Sequence, residues 1–154
     1  MHNLDATDKK ILKLLQEDAK LTAREISEKI SLSQTPVYER IKKLEKKGLI
    51  KSYVAIVEPK SVDKGLIVFA SFNMNNQSIE QREAFVGALT ALEEVMEVSH
   101  VTGKHDYIAK LRVKDINDFQ KLLQSQLSTL PNVDKVSPQI VLDELKHTYK
   151  VSLD

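Results

Sequence analysis

Apolar residues recur every three or four positions through the opening stretch of the chain, and beyond it they gather into runs or alternate with polar ones. The first period belongs to helices and the second to strands, so pattern alone divides the chain in two. Asp5 to Ala19 reads as a first helix, with Asp5 as cap, Asp8 in the first turn, and Ile11, Leu12, Leu14 and Leu15 on the buried face. Thr22 followed by Glu25 is a capping-box pattern, and it opens a second helix with Ile26 and Ile30 on one face. Ser31-Leu32-Ser33 makes a tight turn, where a positive φ at Ser31 carries a steric cost. A third helix starts with either Ser33 or Thr35 as its cap, the latter placing Pro36 at the first helical position. Val37, Ile41 and Leu44 form its buried stripe, and Gly48 is suited to the left-handed stop that ends it.

The next stretch, GLIKSYVAIVEP, reads as extended chain, a wing strand (Ile50, Tyr53, Val54, Ile56, Val57) that becomes a linker. Pro59 and Gly65 punctuate it, and the domain boundary falls near residue 60, giving domains 1–60 and 61–154. The second part predicts a strand over Leu66–Met74, a helix over Ser78–Leu92 with Ile79, Phe85, Val86, Leu89 and Leu92 inward, and a strand over Val95–Thr102. A hairpin turn at Gly103–His105 leads to a strand over Asp106–Val113. A helix over Asp115–Ser128 buries Ile116, Phe119, Leu122, Leu123 and Leu127, and a last extended stretch begins at Val133. The order βαββαβ is that of a ferredoxin-like α+β sandwich, one antiparallel sheet with both helices on one face. Its other face needs a cover. Phe69, Val98 and Ile108 are expected there, packed against a second copy of the chain.

Composition narrows the chemistry. The chain of 154 residues has 42% hydrophobic residues, enough for a core, and no cysteine, which excludes disulfides, thiolate metal sites and cysteine nucleophiles. No apolar run approaches the ~18 residues of a membrane helix, and the opening MHNLDATDKK lacks the apolar core of a secretion signal, so the expected compartment is the cytoplasm. Net charge is only +1, yet it is segregated. Residues 1–60 hold 13 Lys/Arg against 9 Asp/Glu, a balance of +4, and residues 61–154 hold 10 against 13, a balance of −3.

The positive half is the half with the helix-turn-helix pattern, whose second helix enters the DNA major groove N-terminus first. Ser33, Gln34, Thr35, Pro36, Tyr38 and Glu39 are the candidates near base edges. Arg40, Lys42, Lys43, Lys46, Lys47 and Lys51 are candidates for phosphate contacts, which position a protein without reading sequence. The bland readings are a solvated lysine face, a Tyr38 packed on a neighbour, and an Arg40 paired with Glu25 or Glu28 to brace the motif. His100 and His105, five apart, have no companions with ligand spacing, so no metal site is expected. No catalytic constellation is found either.

Three segments together resemble the Lrp/AsnC ("feast/famine") family of bacterial and archaeal transcription regulators. The opening LDATDKKILKLLQEDAKLTAREISEKISLSQTPVYERIKKLEKKGLIKSY is similar to its winged helix-turn-helix. VTGKHDYIAKLRVKD is similar to its turn motif of glycine, any residue, aromatic, Asp and aromatic, and LPNVDKVSPQIVLDELK to its closing strand. The resemblance implies an ACT-like (RAM) second domain, homodimers often assembled into octamers, and an amino acid or related metabolite bound between subunits. It places that effector at Thr102, Gly103, Lys104, His105, Asp106 and Tyr107, with Ser137, Pro138, Gln139 and Ile140 from the facing chain. Asp106 would accept from an ammonium, or else serve only to form the turn. His105 departs from the family's aromatic ring, and Lys104 adds a charge. Haem-precursor decarboxylases share the fold, but their tetrapyrrole pocket needs converging histidines and arginines, and this second half has only two arginines, Arg82 and Arg112. A nucleoid-type architectural protein that coats DNA without a ligand is the alternative function.

Overall fold

Short-range capping chemistry sets the ends of the first three helices in the computed structural model, which describes residues 4–153. Asp5 caps α1 (Ala6–Glu17), its carboxylate accepting from the Asp8 amide at 2.8 Å. Thr22 and Glu25 close the reciprocal box at the start of α2 (Ala23–Ile30), with Thr22 N donating to Glu25 at 2.7 Å and Glu25 N to the Thr22 hydroxyl at 3.2 Å. Ser31 then turns left-handed at φ 56°, and the Leu32 amide donates to the Ser27 carbonyl at 3.0 Å. Ser33, not Thr35, holds the cap position of α3 (Gln34–Lys46), though its hydroxyl makes no capping bond. Pro36 therefore sits third in the helix, still among the residues whose N–H has no helical partner. Gly48, at φ 69°, closes α3: Gly48 N donates to Glu45 O and Leu49 N to Leu44 O. Ile11, Leu12, Leu15, Ile26, Val37 and Leu44 make the core of this unit.

The expected wing strand is not formed. Among the described residues, positions 51–58 adopt no ladder, and Tyr53, Val54, Ile56 and Val57 stay exposed. An extended segment becomes a strand only when its backbone pairs with another, and among the described residues 51–58 join no ladder. Close contacts divide the chain into one unit that runs to Ile56 and takes up the segment from Lys146 onward, and a second spanning Val57–Leu145.

The second unit carries β1 (Leu66–Met74), α4 (Ile79–Thr90), β2 (Val95–His100), β3 (Tyr107–Val113), α5 (Ile116–Ser125) and β4 (Val133–Ile140). The sheet order is β2-β3-β1-β4, antiparallel throughout, the βαββαβ sandwich that element order predicts. Alternate residues of β1 and β3 (Val68, Ala70, Phe72; Tyr107, Ala109, Leu111) meet Phe85 and Leu89 of α4 and Phe119 and Leu122 of α5. Phe85 is the centre of an aromatic cluster, 5.3 Å from Phe72 and 5.0 Å from Tyr107 between ring centroids. Ile79 and Ile116, expected inside, stand in first turns and are exposed.

Val98 also departs from expectation. The ladder shifts register between Val95 and Glu97, so Val98 pairs with Ala109 and packs on the helix side of the sheet. Phe69 and Ile108 do lie on the other side, in register with Lys110 and Ser71. Part of that side is covered by the chain itself. Beyond β4, Val141 N donates to Ile67 O, and Glu144 accepts from Lys110 Nζ at 3.1 Å and Arg112 Nη2 at 3.2 Å. The top of this strap points Leu142 and Leu145 into water, 98% and 90% exposed.

Ser31→Gly should stabilise the chain by about 0.5–1 kcal/mol, the left-handed penalty of a side chain less the extra chain entropy of glycine. The urea midpoint should rise with an unchanged denaturant slope; a lower midpoint contradicts a strained turn.

Candidate functional site

Two groups of residues are built for contact. The first is the solvent face of α3. Val37 and Leu44 are locked in the core, which leaves Ser33, Gln34, Thr35, Pro36, Tyr38 and Glu39 exposed at the N-terminal end of the helix. Lys42, Lys43, Lys46, Lys47 and Lys51 are exposed further along. Among the described residues, Lys43, Lys46, Lys47 and Lys51 pair with no carboxylate, so their charge is open to an anion. Lys42 differs: its ammonium lies 2.9 Å from Glu45 and 5.7 Å from the centroid of the Tyr38 ring. Glu45 raises the Lys42 pKa, and Lys42 in turn lowers that of Glu45. The Tyr53 hydroxyl donates to the other Glu45 oxygen at 3.1 Å. Partial burial, and then the hydrogen bond to Glu45, push the Tyr53 phenol up to about 12.

Arg40 is half-buried and turned inward. Its Nη1 lies 2.5 Å from Asp5 and 2.7 Å from Asp8, so it braces α3 against α1. The expected bracing partners, Glu25 and Glu28, are otherwise engaged, Glu25 in its capping box and Glu28 with Arg24 at 3.2 Å. The Asp8 amide, and then Arg40, hold the Asp5 carboxyl below its ordinary range. The pairing of Arg40 spans more than thirty residues, and no local spacing announces it.

The second group is the turn between β2 and β3. Gly103 at φ 113° occupies backbone that side chains rarely adopt, and Thr102, Gly103 and Lys104 are exposed. The turn is pinned to β1 by side chains. Asn73 Nδ2 donates to the Lys104 carbonyl at 2.9 Å, and Asn73 Oδ1 lies 3.0 Å from His105 Nδ1. Asp106 accepts from the Met74 amide at 2.8 Å and from Gln77 Nε2 at 2.9 Å, while its own amide donates to Phe72 O. Asp106 is thus neither a local turn-former nor an idle acceptor; it ties the turn to the end of β1. Tyr107 is buried between Phe85 and His100, so its ring belongs to the core. Ser137, Pro138, Gln139 and Ile140 lie on β4, paired with Ser71, Ala70, Phe69 and Val68, on the far side of β1 from the turn. One chain therefore does not bring together the two groups of residues expected to hold an effector. Asn73 and Gln77 escape a reading of the sequence, because only the fold brings them to the turn.

Residues 67–151 match the family model of the Lrp/AsnC ligand binding domain, and residues 4–51 that of a winged helix-turn-helix DNA-binding domain. The chain belongs to the Lrp/AsnC family. It is 36% identical over 149 residues to the leucine-responsive regulatory protein of Salmonella typhimurium, covering 97% of this chain and 91% of that one. Among solved structures it is similar to a Neisseria meningitidis transcriptional regulator in complex with L-Met, with TM-score 0.94, 34% identity, and 99% and 98% of the two chains covered. An AsnC family transcriptional regulator from Agrobacterium tumefaciens gives TM-score 0.92 and 31% identity, with 97% of each chain covered. This Lrp/AsnC chain is accordingly a DNA-binding transcription regulator with a ligand-binding domain, of a family whose members are regulators and not enzymes. Among the described residues, no helix is long and apolar enough to cross a membrane, and no three His, Cys, Asp or Glu side chains gather as a metal site would.

The Tyr53 phenol offers a direct check on the α3 network. A phenol whose pKa rises on folding adds stability below the unfolded value of about 10. That stability is lost as pH rises through the folded value of about 12. In an ultraviolet difference titration, wild type minus Tyr53→Phe should ionise near that folded value; ionisation at the ordinary tyrosine value means the bond to Glu45 is not kept.

Proposed function

We propose that this regulator reads DNA through α3 and responds to an amino acid bound between subunits. The observation that carries the reading is the row of exposed lysines along α3 and just past its end, four of them with no carboxylate partner among the described residues, on a helix whose opposite face is fixed in a core. Ser33, Gln34, Thr35, Pro36, Tyr38 and Glu39 face base edges, and Lys43, Lys46, Lys47 and Lys51 hold phosphates. Lys42 joins the phosphate contacts when it leaves Glu45, while Arg40 serves as the brace. Residues 1–60 do this work. Residues 61–154 supply assembly and sensing, with the sheet side that carries Phe69 and Ile108 packed on a second copy. The dimer is the unit of assembly, and octamers are built from it. Its partner is chromosomal DNA, which places the protein in the cytoplasm.

The effector binds where the Thr102–Tyr107 turn of one subunit meets Ser137–Ile140 of its neighbour. The L-Met complex of the Neisseria relative supports an amino acid, as does a turn held open by Asn73 and Asp106. Asp106 keeps lone pairs beyond the two it uses and accepts from the ammonium. Ligand binding at the interface favours one assembly geometry and so alters DNA affinity by linkage. A nucleoid-type coat without a ligand has no specific observation in its favour.

Lys46→Ala should weaken binding to every duplex and lower the salt slope by about 1. Lys42→Ala should do less, because Glu45 already takes part of its charge. Gln34→Ala should instead relax preference at one base position. A gel-shift series across salt and sequence in which Lys46→Ala and Gln34→Ala behave alike rejects the assignment.

A thermal-shift screen of the twenty amino acids tests the effector. One that binds the native state should add about 2.7 kcal/mol at a hundredfold excess over its Kd, and so raise the midpoint. Twenty flat responses remove the amino acid from this reading.

A further inference from the structure

The segment from Lys146 onward packs with the DNA-binding unit although it follows the ligand-binding domain in sequence. Gln16 of α1 holds it. The Val151 amide donates to Gln16 Oε1 at 2.7 Å, and Gln16 Nε2 donates to the Val151 carbonyl at 3.2 Å. One side-chain amide thus satisfies both polar groups of a backbone residue, as a neighbouring strand would. Tyr149, Val151 and Leu153 fall at alternate positions and line a groove with Leu12, Leu15 and Tyr53. Leu153 reaches the core of the unit. The seat is incomplete: a cavity of about 270 Å³ remains in the groove, and Tyr149 and Val151 are mostly in water. Against these contacts stands the ordering entropy of a segment whose side chains are largely in water, which favours exchange between docked and free.

We propose that residues 149–153 are a detachable latch on the DNA-binding unit, and that its closure sharpens the unit's choice of DNA sequence. The inference rests on the reading of α3 given above. With the latch closed, chain enters and leaves the unit at two places, Ile56 and Lys146. A body held by two tethers swivels less than one held by a single tether. Two such units in a dimer lose less freedom on correctly spaced half-sites and adapt less to arbitrary DNA. With the latch open, the unit hangs from the 51–58 segment alone and accommodates more sequences.

The test uses the full chain. Gln16→Ala removes both hydrogen bonds, and trypsin nicking after Lys150 should accelerate at least about fivefold, cleavage elsewhere being unchanged. The ratio of affinities for a duplex selected by the wild-type chain from a random pool, over a random duplex, should fall about tenfold. Because the sequence has no cysteine, Gln16→Cys with Val151→Cys joined by a short bis-maleimide closes the latch at one place. That cross-link should restore or exceed the wild-type ratio. Unchanged nicking in Gln16→Ala overturns the latch. Faster nicking with an unchanged affinity ratio overturns its role in selectivity. A wild-type chain that selects no sequence overturns the reading of α3, and is recognised before any variant is compared.

Discussion

What the exposed face of α3 can do depends on its back being held still. Val37 and Leu44 supply the apolar part of that hold, and the ion pairs of Arg40 with Asp5 and Asp8 supply the rest. The pairs do two things at once. They fix α3 to the start of α1, and they neutralise two carboxylates that would otherwise place negative charge in the unit that must approach phosphates. A cation spent on the brace is one fewer for the surface, yet it makes the remaining lysines more effective. Asp5 has a second duty as the cap of α1, so one carboxylate serves both the helix end and the inter-helix tie.

The ligand-binding domain uses the same economy of side chains. Asn73 and Asp106 stand in for backbone, one binding a turn carbonyl and the other a strand amide, and together they keep the Thr102–His105 turn in place. A turn already ordered has little freedom left to lose. The aromatic cluster of Phe72, Phe85 and Tyr107 lies directly beneath the same strand ends, so the rigidity of the core extends to the turn.

Sequence was legible where the cause was local. The Thr22–Glu25 box, the Asp5 cap, the Gly48 stop and the βαββαβ order all rest on spacings of a few residues, and each appears in the structure. It failed where the cause was distant. Val98 changed sides because a register shift beside Met96 reverses the alternation, and nothing in VMEVSH marks the bulge. Among the described residues the expected wing strand joins no ladder, and Arg40 chose partners at the start of α1 over the nearer α2. The lysine face was readable from period and charge; the residues proposed for the effector come from resemblance instead, and in a single chain they fall on opposite sides of β1.

The strap beyond β4 has a consequence for the economy of the cell. Glu144 fastens its underside to Lys110 and Arg112 and so forces Leu142 and Leu145 outward, where no part of the described chain shields them. Covering a leucine is worth about 1.5–3 kcal/mol. Any assembly that hides the pair gains that burial, and mass action makes its extent rise with the number of molecules present. For such an assembly abundance is an input, set by synthesis rate and by dilution at cell division.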